Sequence, residues 1–338
     1  MSDVVFWALV VLVILAAQAT ERPRPAAARA GQPGEPEPLL GAGSETVARF
    51  VIAAAGVLMA VVGLLSVAGA MAPTSSGVDR NHELAGGALQ LTAGLACLAL
   101  FYFDTERIPG FRRLRRRAPI SWLAIVLFFQ SLAINLAPAS GQSTVATTVQ
   151  PSSQPTAESL MLGAVPFLAI GVASVGPSVR RSVREAAERL GFWPLRIIPW
   201  WVIGIVAGLV LIPVGDWVAT QLSNLTSVQC LQQQVQVQHA IAGTARTTLE
   251  QIGVAAAAGV CEETLFRGAL QPRFGIFLSS ALWASYHLQY TCNGLPSASN
   301  LYILLLGFVF GALRKWGGLW PAILAHTVYD GVILLNLF

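Results

Sequence analysis

Apolar runs about as long as a bilayer is thick recur along the whole of this 338-residue chain, and they limit what it can fold into. They fall at about 4–19, 50–71, 84–103, 120–136, 159–175, 197–214, 252–270, 275–288, 300–313 and 319–337. A helix needs about 20 residues to cross ~30 Å of hydrocarbon, so the first run is short for a span but workable. Only 11% of residues are charged and 54% are hydrophobic, with a mean hydropathy of +0.62. A soluble globular chain is about 25% charged. The expected fold is all-α: a polytopic membrane protein of about ten transmembrane helices.

Charge in the loops gives the orientation. Six arginines crowd the loop 107–117, between the third and fourth runs, and mark it as cytoplasmic. Counting runs from there puts Arg180–Arg189, Arg273, Arg314 and Lys315 on that same side. Both termini then lie on the non-cytoplasmic side of the plasma membrane. Asp3 is the only charge ahead of the first run, so that run reads as a retained span and not as a signal peptide. Residues 178–190 fit a basic amphipathic helix on the inner surface. Residues 216–251 are polar, and the Val/Gln alternation at 235–238 suits strand and helix equally. The net charge of +4 sits in cytoplasmic loops facing the lipid bilayer, which excludes a nucleic-acid partner. Tryptophans at 193, 200, 201, 217 and 320 fall near span ends, as an aromatic belt would. No CxxC or His/Cys cluster is present, so a structural zinc site is excluded. Cys230 and Cys292 fall in non-cytoplasmic loops and are expected to pair.

Charge then returns where it is most costly. At the centre of a bilayer a charged side chain costs roughly 2.5–3.5 kcal/mol on insertion scales. The seventh run nevertheless carries Glu262, Glu263 and Arg267 within six residues. On a helix Glu263 and Arg267 are i,i+4 and can pair along one face. Glu262 points about 100° away, without that partner. A free carboxylate beside a neutralised one suits a general base. His287 lies near the end of the eighth run, and His326 and Asp330 lie i,i+4 in the tenth. Singly, each could be a helix–helix contact. Together, on helices joined by short loops, they point to one polar site.

Two chemistries are open to that set. Glu262 can deprotonate a water with His287 assisting, while His326 and Asp330 orient a substrate or stabilise an oxyanion. Alternatively, Glu262, His287 and His326 could ligate Zn2+ with one open position. There is no HExxH, and the commitment of one carboxylate to Arg267 favours the metal-free form. Two non-hydrolytic classes compete: a membrane scaffold or immunity factor that keeps the motif for stability, and a proton-coupled transporter. No internal repeat or broken-helix pair supports the transporter.

Four motifs, in order, give a resemblance. Glu262-Glu263-x-x-x-Arg267-Gly268 matches the EExxxRG motif of the CAAX protease and bacteriocin-processing (CPBP, or Abi) family. Trp283-x-x-x-His287 resembles its FxxxH motif, Phe308-x-x-Gly311 its FxxG motif, and His326-x-x-x-Asp330 its HxxxN/D motif. The agreement covers about 245–338. It implies an intramembrane endopeptidase of helical fold, acting on a membrane peptide or protein through a cavity open to the cytoplasm. It further implies that Glu262 and His287 activate water, that Arg267 holds the acidic residues, and that His326 with Asp330 forms the oxyanion side. Trp283 stands where Phe is usual and reads as an aromatic packing residue. Asp330 stands where prenyl-processing eukaryotic members have Asn, which donates a hydrogen bond at any pH. The chain divides on this reading into an N-terminal membrane region, 1–190, and a protease domain, 191–338.

Overall fold

The computed structural model describes residues 156–177, 181–193, 198–223, 228–287, 290 and 298–335, with residues 11, 14 and 15 and parts of 53–71 and 84–99. The expected span at 120–136, the arginine loop 107–117 and Cys292 lie outside the described residues. The helices are α1 Ala157–Ala173, α2 Val183–Leu190, α3 Ile198–Ser223, α4 Val228–Ala242, α5 Thr248–Glu263, a π-helical turn Thr264–Leu270, α6 Gln271–Ser285, α7 Ala298–Gly317 and α8 Leu319–Leu334. Among the described residues there is no strand, only an isolated bridge between Pro177 and Arg181. The all-helical expectation holds for them. The ambiguous Val/Gln stretch is helical, within α4.

Three helix starts are written in the local sequence. Thr156 with Ser159, Ser182 with Glu185, and Thr247 with Glu250 each form a reciprocal capping box at α1, α2 and α5. Each cap satisfies backbone donors that the first turn leaves open, and is worth about 1 kcal/mol. The basic surface helix therefore begins at Val183, later than the 178 expected from charge pattern, because Ser182 is the residue able to cap it. The helix of the seventh apolar run extends through Gln271 and is broken at Gly275, with φ 83°, where the eighth run begins.

Within α3, Pro199–Val218 is long and apolar enough to cross a membrane, with mean hydropathy 2.0. Met59–Gly69, Ala157–Ala173 and Leu319–Leu334 are apolar but shorter. One face of α3 exposes Val202, Ile203, Val206, Leu209 and Val210. The other carries Gly204 and Gly208 onto α8. A Cβ at 204 would lie 2.5 Å from the Pro321 carbonyl oxygen, and one at 208 would lie 2.6 Å from that of Ala325. Across α8, a Cβ at Gly259 of α5 would stand 2.3 Å from Thr327 Oγ1. So α8 is held between α3 and α5 at backbone contact, which small residues permit where lipid supplies no hydrophobic drive between helices. The helical stretches at 53–69 and 84–99 meet in the same way, Gly63 against Leu91 N and Gly94 against Ala60 N.

Arginines that the sequence assigns to one side do meet at one end. Arg189 of α2 is pulled down to about 10 by burial and by the positive charges of Arg181, Arg314 and Arg273. At this end Leu319 N–H donates to Gly191 O, and Trp320 Nε1–H donates to Phe192 O, tying α2 to the α7–α8 turn. Elsewhere, Gln234 of α4 donates to Tyr290 O at 2.7 Å and accepts from Ser299 Oγ at 2.7 Å, bracketing the segment that contains Cys292. Cys230, one turn before Gln234, is disulfide-bonded, whereas Cys261 is free and buried.

Two outcomes are expected. Non-reducing peptide mapping should recover Cys230 joined to Cys292; a Cys97–Cys230 link would refute that pairing. Gly259→Val should destabilise the bundle by about 1–3 kcal/mol, as overpacking does, and should push α5 off α8. Unchanged thermal unfolding in detergent would count against the close contact.

Candidate active site

The wide turn that follows Glu263 is where the site begins. Thr264–Leu270 forms a π-helical segment with every residue buried, and Thr264 Oγ1 donates to Val260 O at 2.6 Å. Such single-turn insertions are rare and concentrate at functional sites. The two glutamates ahead of it go to different partners.

Glu263 is fully buried, as is Arg267. Arg267 Nε lies 3.3 Å from Glu263 Oε2, close enough to pair in charge though not aligned as a hydrogen bond. The guanidinium donates weakly to Gly307 O at 3.4 Å and lies 4.9 Å over the Trp283 ring and 5.9 Å over Phe310. Glu263 Oε1 accepts from His326 Nδ1 at 3.0 Å, and His326 Nε2 stands 3.3 Å from Asp330 Oδ2. Phe310 stacks on the His326 ring at 5.1 Å and 18°. Arg267, Glu263, His326 and Asp330 thus form a chain of alternating donors and acceptors across α8 and the π turn. Both ring nitrogens of His326 therefore face carboxylates.

Glu262 stays outside that chain. It is half-buried, and its Oε2 accepts from Trp283 Nε1 at 2.6 Å. Its other oxygen hydrogen-bonds to none of the described residues. His287 stands at the end of α6, its Nδ1 donating to Trp283 O at 3.0 Å and its ring 4.5 Å from the Trp283 ring. With Nδ1 committed as donor, Nε2 is the ring nitrogen left to meet a water or substrate. Asn300 Nδ2 in turn donates to His287 O at 3.1 Å.

All six residues singled out in the sequence therefore belong to one contiguous cluster. Among the described residues, no group of three or more His, Cys, Asp or Glu has a metal-holding arrangement. Among the described residues Glu262, His287 and His326 are not gathered as a ligand set, and both ring nitrogens of His326 lie against carboxylates. Three further residues belong to the site. Trp283 is not only packing: it donates to Glu262. Gly307 and Phe310 supply a carbonyl and a ring face. Both flank the expected Phe308 and Gly311, and the fully buried Phe310 turns inward while Phe308 meets Phe277 at 6.0 Å.

Removing one partner of a buried pair strands the other charge. Arg267→Met should cost about 3–5 kcal/mol in detergent-solubilised unfolding, for this reason. A loss below about 1 kcal/mol would mean that the pair is solvated and the assignment wrong.

Residues 244–332 match the family model described as "Type II CAAX prenyl endopeptidase Rce1-like". An uncharacterized protein of Bacillus subtilis (strain 168), YpbD, is 34% identical over 74 residues, which cover 21% of this chain and 36% of that protein. The chain thus spans about a third of that relative's length, 36%. No solved structure matches. The matched segment holds all six candidate residues, together with Trp283, Gly307 and Phe310. The matched segment coincides with the stretch whose four motifs resemble the CAAX protease and bacteriocin-processing family.

Proposed function

We propose that this chain is an intramembrane endopeptidase that hydrolyses a peptide bond in a membrane-associated peptide or protein, using a water activated by Glu262 with His287. The observation that carries the reading is the division of labour between adjacent glutamates. Glu263 is fully buried and bound by Arg267 and His326. Glu262 is half-buried and, among the described residues, tied at one oxygen only. A carboxylate with a spare oxygen and a neutral imidazole with a spare nitrogen can share one water.

The chemistry follows from that placement. Glu262 takes a proton as the water adds to the scissile carbonyl, and returns it to the leaving amine. His287 Nε2 accepts the water's other hydrogen and fixes its direction. His326 and Asp330 form the oxyanion side: Nδ1 of His326 is held by Glu263, so Nε2, 3.3 Å from Asp330 Oδ2, is the ring nitrogen that swings from that carboxylate to the developing oxyanion. This answers the exchange of Asn for Asp: an acid here helps by holding the imidazole and not by donating itself. The chain is read as multi-pass, with about ten spans and both termini non-cytoplasmic. Residues 1–190 serve the domain at 191–338 as a substrate-recruiting or partner-binding half.

The test is turnover of a membrane-peptide library by wild type and Glu262→Gln. A carboxamide keeps shape but accepts no proton, so the rate should fall by about 10²–10⁴-fold, the span of general-base effects. Equal rates would leave the scaffold or immunity-factor reading in possession. Metal analysis of the same sample should find no stoichiometric zinc, and chelation should not change the rate. A loss on chelation that Zn2+ restores would replace the water-activating pair with a metal.

A further inference from the structure

Trp283 touches more of the site than any residue the sequence singled out. Its indole N–H donates to Glu262 Oε2 at 2.6 Å. Its own carbonyl accepts from His287 Nδ1 at 3.0 Å, and its ring meets that of His287 at 4.5 Å. Its face lies under the Arg267 guanidinium at 4.9 Å, and its edge meets His326 at 5.5 Å. The residue is 2% exposed, enclosed by these contacts.

A buried indole needs an acceptor, but a main-chain carbonyl would serve as well. Here the acceptor is Glu262, the carboxylate of the cluster with no cation at ion-pair distance among the described residues. A hydrogen bond to an ionised group is about twice as strong as a neutral one and fixes direction more tightly. The carbonyl of the same residue sets the tautomer and rotation of His287, the arrangement by which outer partners commonly orient working imidazoles. The Phe of the FxxxH motif would keep the ring and the carbonyl. It would lack the N–H.

We propose that Trp283 is a positioning residue that aims Glu262 and His287 at one water, binding the carboxylate through its indole N–H and the imidazole through its main-chain oxygen. The inference rests on the reading of Glu262 as base. Its test is Trp283→Phe in the full-length protein, on a peptide that wild type cuts from the membrane-peptide library. Expected is a fall of about 10- to 100-fold in kcat, the scale of a small misplacement of a reacting group. KM should stay within about twofold, and the unfolding temperature should fall by only a few degrees, since the phenyl ring fills most of the indole's space and the carbonyl remains. Trp283→Tyr, which also lacks the indole N–H, should lose kcat similarly and covers the case in which the first variant does not fold.

The outcomes separate the two claims. An unchanged kcat in Trp283→Phe, beside an inactive Glu262→Gln, overturns the positioning role and leaves the base role standing. A joint fall of kcat, affinity and unfolding temperature reduces Trp283 to a packing residue and likewise overturns it. Full activity in Glu262→Gln overturns the base role itself, and the inference with it.

Discussion

The buried pairing of Glu263 with Arg267, closed by His326, is the interaction on which the rest depends. Two full charges with no exposure are tolerable only if each has its counterpart in place. Here the counterparts come from three elements: α5, the π turn and α8. None of those elements can shift without stranding a charge, so the cluster acts as a gauge of the fold around it. It also spends one glutamate so that its neighbour can remain uncommitted. A single acidic residue could not be both anchor and base.

Such a gauge works only if the helices approach closely. Between α3, α8 and α5 that approach comes from absent side chains at Gly204, Gly208 and Gly259. Gly307 does the same between α7 and α6, where a Cβ would meet Ser280 and Trp283. In lipid no hydrophobic force gathers helices, so fitted backbones and shared polar groups must do so. The site and the scaffold are thus stabilised by the same contacts.

What the sequence disclosed follows from this. Charges in apolar runs are conspicuous because lipid makes them costly, and Glu262, Glu263, Arg267, His287, His326 and Asp330 were all legible for that reason. Their pairing was legible where it lay along one helix, as for Glu263 with Arg267 or His326 with Asp330. Pairing between helices was not. The bond from His326 to Glu263 and the bond from Trp283 to Glu262 depend on how α8 and α6 are rotated, which no periodicity encodes. Trp283 was misjudged because its hydrophobic bulk hides one donor. Phe310 was missed because the motif names its neighbours. The start of α2 was misplaced because charge pattern is a poor guide to caps, and Ser182 is a good one. The number of spans stays an inference from hydropathy: among the described residues, one helix meets both length and composition.

The π turn has a mechanical consequence. A π turn stores one residue more than an α turn, so the rod before it and the rod after it are out of phase by roughly one residue's rotation, about 100°. Wide turns of this sort can creep along a rod, changing which side chains face inward. This one is jammed: all seven of its residues are buried, Gly171 abuts Leu265 and Gly268 abuts Leu190. The phase between the carboxylates and the indole is therefore locked like two gears on one shaft.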